Sequence, residues 1–318
     1  MNHSDTQFIR AIGMILIVNS HLDSYYPIPY IGTGGAIGNS IFFFLSAFGI
    51  YLSQQNKAKP FKDWFAGRIS RIYPSLWIVL FCLVMPIMIG IGKLHGVDIF
   101  PFMGYFFNPP FWFLQLLLVY YLLSFHLLKQ TQMKRAVIIF LTLSVIYIVY
   151  YFTCLDLSKW SLEKLPLDLI HYFMIFLFGI FIASKNKDIV YSGYNNYLIL
   201  IFFVILIYAH KFLMLKGLYS ELQIIQQAAM YPIVYYLLKI SRSPFVVDTI
   251  MQSQIIGPIM VFIAKHTLEI YMIHQTISPP VKNLQMNFPF NVFLFLTLTL
   301  ILSAIVKALA YRGSNAVA

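Results

Sequence analysis

Charge is scarce in this chain of 318 residues: Asp, Glu, Lys and Arg together make up 10%, against about 25% in an ordinary soluble domain. Acids are scarcer still, 11 against 22 lysines and arginines, which leaves a formal net charge of +11. Cysteine occurs only at Cys82, inside an apolar block, and at Cys154, just after another. Two thiols so placed do not make a disulfide framework. No CxxC pair or Cys/His cluster gives a zinc signature, and no metal is expected. No repeat of 20–50 residues and no low-complexity linker breaks the chain into parts. The basic residues are not gathered into a patch with interleaved aromatics, so no nucleic-acid partner is expected.

What is present is apolar sequence. Hydrophobic residues make up 60% of the chain, and they arrive in blocks of about 17–20, the length that crosses a bilayer's hydrocarbon core. Candidate spans fall near 8–22, 37–54, 73–92, 111–128, 135–153, 167–184, 197–214, 222–238, 260–280 and 288–309. This predicts an all-α, polytopic membrane protein of about ten transmembrane helices, with 1–318 as a single transmembrane domain surrounded by lipid. The first block has no basic region before it and no small-residue cleavage site after it, so it reads as a retained helix and not a signal peptide. The ninth is interrupted by Lys265 and His266, which suggests a short interfacial helix followed by the true span.

Loop charge orients the bundle. With the N-terminus inside, inner loops carry fourteen lysines and arginines, from Lys57 to Arg312, and outer loops carry six. That excess places both termini in the cytoplasm, provided the number of spans is even.

Polar residues inside or beside the apolar blocks are the candidates for chemistry, because ionisable groups at membrane depth are costly and usually face a polar interior. Arg10 and His21 share the short first segment, with Asn19 and Asp23 close to His21. Eleven residues of helix separate Arg10 from His21 by roughly 16 Å along the axis. Arg10 then lies near the inner surface and His21 near the outer third. Arg10 also reads as a snorkelling anchor, and His21 as a histidine at a wet helix end. Gly34 and Gly35, in GTGGAIGNSIFFFLSAF, lack the Walker lysine and the strand context of a nucleotide loop. They suit close helix packing, or a backbone brought near a substrate beside His21.

Arg68 and Arg71, in FAGRISRIYP, are three apart and share a helical face. Two guanidiniums so placed can fork onto phosphate oxygens, although taken alone they read first as positive-inside charge before the third span, as Lys57, Lys59 and Lys62 do. Trp112 opens the apolar block FWFLQLLLVYYLL, where an interfacial anchor is the ordinary reading. Late in the chain, HTLEIYMIHQ carries Glu269 and His274. Their spacing of five does not match the His-Glu-x-x-His zinc pattern.

In order, these features resemble the acyltransferase 3 family of membrane O-acyltransferases. The carrying residues are Arg10 with ten residues to His21, Gly34-Gly35 leading into IFFFLSAF, Arg68-x-x-Arg71 with Tyr73-Pro74, then WFLQLLLVYYLL, and finally LEIYMIH. The resemblance runs from about Phe8 to His274. One departure is Ser46-Ala47-Phe48 where the family usually has Ser-Gly-Phe. The resemblance implies a stand-alone form without an SGNH-type hydrolase domain, in a bacterial inner membrane. It implies transfer of an acyl group, commonly acetyl, from cytoplasmic acyl-CoA to a sugar hydroxyl of O-antigen, capsule, exopolysaccharide or a lipid-linked glycan. Arg68, Arg71 and Arg10 would then hold the donor, and His21 would act as general base or carry the acyl group. Asn19 or Asp23 would orient His21 or bind the carbohydrate acceptor. The same ten-helix outline with intramembrane polar groups also suits a polysaccharide exporter or flippase, which inverted repeats or paired broken helices would favour. Neither is visible.

Overall fold

Backbone polar groups cannot be left unpaired in hydrocarbon, so apolar blocks of this length fold as helices that satisfy their own hydrogen bonds. A computed structural model describes residues 3–90, 111–157, 161–163 and 166–315. Among these there is no strand. Helix α1 spans His3–Ser20, and α2 spans Gly35–Asn56. Helix α3, Phe61–Val79, runs through a π-helical turn at Leu80–Val84 into α4, Met85–Gly90. Helix α5 is Trp112–Ser124, prolonged by a 3-10 turn at Phe125–Leu128. Then come α6 (Met133–Cys154), α7 (Leu167–Ser184), α8 (Asn195–Leu215) and α9 (Gln223–Ile240). The last three are α10 (Ile256–Lys265), α11 (Thr267–Asn283) and α12 (Phe290–Asn315).

The chain is an all-α, polytopic membrane protein. Each of the ten expected segments lies largely on helix over its described residues. Among the described residues six helical stretches are long and apolar enough to cross a membrane by themselves, or seven if the bent pair α10–α11 is one span. The expected segments that do not qualify are α1, the short α5, and α9. Helix α9 buries Gln223, Gln226 and Gln227 in its first turns. The interruption at Lys265 and His266 is a bend of 79° between α10 and α11. There, His266 Nδ1 bonds the Phe262 carbonyl at 2.7 Å and the two rings stack at 4.1 Å. The same carbonyl also accepts from the His266 backbone N–H at 3.1 Å, so the imidazole adds a second donor at the end of α10.

The chain forms two compact units. The first comprises residues 1–13, 39–58 and 120–261. In it α6 packs on α7 and α8 packs on α9. Within a bilayer, helices associate through close packing and not through expulsion of water. Gly179 of α7 illustrates this: a Cβ there would lie 2.5 Å from the Phe44 carbonyl oxygen of α2. The glutamines of α9 are tied into a buried network. Gln227 Nε2 donates to Ser161 Oγ at 2.7 Å, and Gln223 Oε1 accepts from the Ser161 backbone N–H at 2.8 Å. The amides of Gln223 and Gln227 thus have partners, without which their burial would be destabilising.

The second unit comprises residues 14–38, 59–119 and 262–318. Helix α12 packs against both α11 and α3, and α11 also packs on α3. The end of α1 and the loop that follows it belong to this unit, and so do His21, Arg68, Arg71, Trp112, Glu269 and His274.

Candidate active site

The loop after α1 is short, proline- and glycine-rich, and anchored at several points. Asn19, on the last turn of α1, donates from Nδ2 to the carbonyls of Ile31 and Thr33, each at 2.9 Å. Its Oδ1 accepts from the Tyr26 hydroxyl at 2.9 Å. Tyr25 fixes the other side: its hydroxyl donates to the Ser278 carbonyl of α11 at 2.6 Å, and its own carbonyl accepts from Asn291 Nδ2 of α12 at 2.9 Å. The Tyr25 ring also lies 5.2 Å from that of Phe295, which is fully buried on α12. The loop is therefore a held structure, clamped to its own helix by Asn19 and to two further helices by Tyr25.

The glycines at the end of this loop serve packing. Gly34 has φ +106°, a conformation that favours glycine, and a Cβ there would lie 2.8 Å from a Leu16 side-chain carbon. At Gly35 a Cβ would lie 2.5 Å from Ser20 Oγ. Both glycines thus let the start of α2 close onto the end of α1.

His21 sits directly after α1, its backbone N–H bonded to the Val18 carbonyl at 3.1 Å, and its side chain is exposed. Its ring faces that of His274, with centroids 4.9 Å apart and planes tilted by 54°. His274 is at 0% exposure within α11. Its Nδ1 lies 2.9 Å from the Ile270 carbonyl, while its Nε2 is buried with no hydrogen-bond partner. Tyr271 continues the cluster, its ring 5.8 Å from that of His274 and 5.4 Å from that of Phe113 on α5. Asp23 is exposed beside His21, and its Oδ1 accepts from the Ser24 N–H at 2.7 Å.

One turn and a half earlier on α11, Glu269 is buried. Its Oε1 accepts from Ser75 Oγ of α3 at 2.7 Å, and its Oε2 is 3.5 Å from Lys307 Nζ of α12. The carboxylate joins α11 to α3 and α12 through its own two oxygens. An unpaired carboxylate at this depth would be costly. Lys307 also bonds the carbonyl of Lys265, at the end of α10.

Arg68 and Arg71 lie on successive turns of α3. The Arg68 guanidinium is half-buried, 5.6 Å over the centre of the Trp64 ring, and Arg71 is exposed. Helix α3 begins at Phe61 after Pro60, which has extended backbone (φ −60°, ψ 156°) and stands at the N-cap. That start places the arginines two and three turns into the helix. Trp112 is exposed at the first position of α5. Arg10 is exposed on α1, within the first compact unit. Among the described residues no group of three or more His, Cys, Asp or Glu is placed to hold a metal ion.

The fold thus brings His21 and His274 together and puts Glu269 on the same helix as His274. It ties the Asn19 amide to the loop, on the carbonyls of Ile31 and Thr33 and the hydroxyl of Tyr26. Ser75, Lys307, Tyr25 and Tyr271 were not legible as site residues. Serine and tyrosine are ordinary within apolar helices, and Lys307 looks like a loop charge. Glu269, an acid in an apolar block, was the available signal that a buried partner had to exist.

Residues 5–312 match the family model for the acyltransferase domain of the acyltransferase 3 family, so the chain belongs to that family. The protein is a membrane acyltransferase. No curated protein and no solved structure matches the chain.

Proposed function

We propose that the protein transfers an acyl group, most simply acetyl, from cytoplasmic acyl-CoA to a hydroxyl of a cell-surface polysaccharide or lipid-linked glycan. What carries this assignment is the accessible imidazole of His21, held at the rim of the second compact unit beside a buried histidine. A group that takes a proton from a sugar hydroxyl must be reachable by that hydroxyl and must change charge near neutral pH. Histidine meets the second condition by its ordinary pKa. His21 removes the hydroxyl proton as the oxygen attacks the thioester carbonyl, or it first accepts the acyl group itself.

The donor is a polyanion at its nucleotide end. Arg68 and Arg71 suit it, because guanidiniums one turn apart can each fork onto phosphate oxygens. Arg10 is a third cation on the cytoplasmic side of the expected topology. The acceptor meets the protein on the outer side, beside the loop that Asn19 and Tyr25 hold. The bacterial inner membrane is the expected location, with both termini in the cytoplasm.

The test is a comparison of envelope glycans from a deletion strain and its parent by mass spectrometry. Loss of an acetyl or succinyl mass, restored by the wild-type gene and not by His21→Ala, is the expected result. Unchanged glycans, together with no acyl-CoA turnover by the purified protein in proteoliposomes, would overturn the proposal.

A further inference from the structure

We infer that His274 is the positioning residue of the site: its bare Nε2 accepts the ring N–H of His21 and so leaves the other nitrogen of His21 free to take the substrate's proton. The inference rests on His21 being the general base.

The tautomer of His274 follows from its backbone partner. A carbonyl oxygen only accepts hydrogen bonds, so the 2.9 Å contact with Ile270 requires Nδ1 to carry the hydrogen. In a neutral imidazole the second nitrogen is then an acceptor. That atom, Nε2, is buried and has no hydrogen-bond partner among the described residues, where buried polar atoms almost always have one. The nearest ring is His21, 4.9 Å away between centroids. Tyr271, the other ring beside His274, belongs to the same helix.

Accessibility separates the roles. His274 is at 0% exposure, whereas His21 is exposed. A sugar hydroxyl therefore meets His21 first, and His274 acts through it. Both rings stand on held supports. The loop beyond His21 is pinned by Asn19 and Tyr25, and α11 is tied to α3 and α12 through Glu269. In the proposed arrangement the exposed ring, 4.9 Å away between centroids, turns so that its N–H meets Nε2 of the fixed one.

The step balances as follows. The hydroxyl oxygen of the acceptor forms a bond to the thioester carbonyl carbon, and its proton moves to the outward nitrogen of His21. The carbon–sulfur bond then breaks. The leaving thiolate takes that proton, and His21 returns to its neutral form. While His21 is protonated, His274 keeps its own proton and holds the imidazolium through the shared hydrogen bond. This is the work that a carboxylate does for a catalytic histidine elsewhere.

Three substitutions test it, because glutamine places an amide oxygen near the position of Nε2, asparagine near that of Nδ1, and leucine nowhere. In His274→Leu and His274→Asn, kcat should fall roughly ten- to a hundredfold, by analogy with the loss seen when a hydrogen-bond partner of a metal-bound histidine is removed. KM for acyl-CoA should stay unchanged, and His274→Gln should recover most of the loss. A second readout needs no turnover: the rate at which diethyl pyrocarbonate modifies His21, followed by peptide mass spectrometry. It should change in the leucine variant and return towards wild type in the glutamine variant. Equal activity of the asparagine and glutamine variants would reduce His274 to packing, and so would a leucine variant with wild-type kcat and wild-type His21 reactivity. Either result leaves the base assignment intact if His21→Ala is inactive. An active His21→Ala would overturn the base assignment itself, and this inference with it.

Discussion

The imidazoles of His21 and His274 lie 4.9 Å apart, centroid to centroid, with their planes tilted by 54°. One ring follows the end of α1 and is exposed, and the other is fully buried in α11. An exposed histidine alone is an ordinary feature of a helix end. A buried histidine with an unpartnered nitrogen, its ring next to the exposed one, is a reason to place chemistry there.

Replacing His21 with alanine removes the only side chain of this pair that is accessible. Acyl transfer should fall by at least about a hundredfold, the lower end of what general acid–base catalysis contributes. The protein should remain folded in the membrane, because the loop is held by Asn19 and Tyr25 and not by His21. Turnover in proteoliposomes with labelled acetyl-CoA measures this. Near-normal rates would remove His21 from the mechanism.

Converting Arg68 and Arg71 to lysine together keeps the charge and abolishes the guanidinium fork. A topology signal needs charge alone, so the variant should insert and orient normally. Phosphate contacts should weaken, because an ammonium is a point donor and also loses the stacking of Arg68 on Trp64. Charged hydrogen bonds are worth roughly 1.5–3 kcal/mol each. Since lysine retains part of that, the expected effect is a KM for acyl-CoA raised by about one to two tenfold steps, with little change for the acceptor. Wild-type donor kinetics would leave the arginines as topology signals only.

Asn19 is predicted to matter through the loop. Alanine there removes the donor to Ile31 and Thr33 and the acceptor for Tyr26 at once. The cost should be on the order of 1–3 kcal/mol, since water can serve the exposed partners only in part. Cleavage of residues 22–34 by external protease should quicken, and the melting temperature should drop. Aspartate should do no better than alanine, because a carboxylate cannot donate to two carbonyls. Full recovery by aspartate would mean that Asn19 acts as an acceptor, towards Tyr26 or a substrate, and not as a clamp.

Orientation is checked with single cysteines introduced after Cys82 and Cys154, both exposed, have been replaced. The 54–72 stretch should be protected from an impermeant thiol reagent in intact cells, and the 22–36 loop should react. Labelling of 54–72 from outside would reverse the topology and separate the arginines from cytoplasmic acyl-CoA.

The helices themselves were legible in the sequence, because an apolar block long enough to cross a bilayer has no alternative to helix. Even the break at Lys265 and His266 could be read there, since a lysine and a histidine side by side interrupt an apolar run. The outlying polar residues His21, Glu269 and His274 stood out for the same reason: each is costly where it lies. What the sequence could not contain is partnership. Helical periodicity states which residues share a face of one helix, and says nothing of which distant helix that face will meet. Only the packing of α3, α11 and α12 decided that Glu269 would join Ser75 and Lys307. The loop decided that Asn19 would hold backbone carbonyls, because three well-placed hydrogen bonds were available there. Tertiary structure alone also decided that the exposed His21 would stand beside the buried ring of His274. Such a pairing depends on two helix positions fixed in three dimensions, which no spacing along the chain encodes.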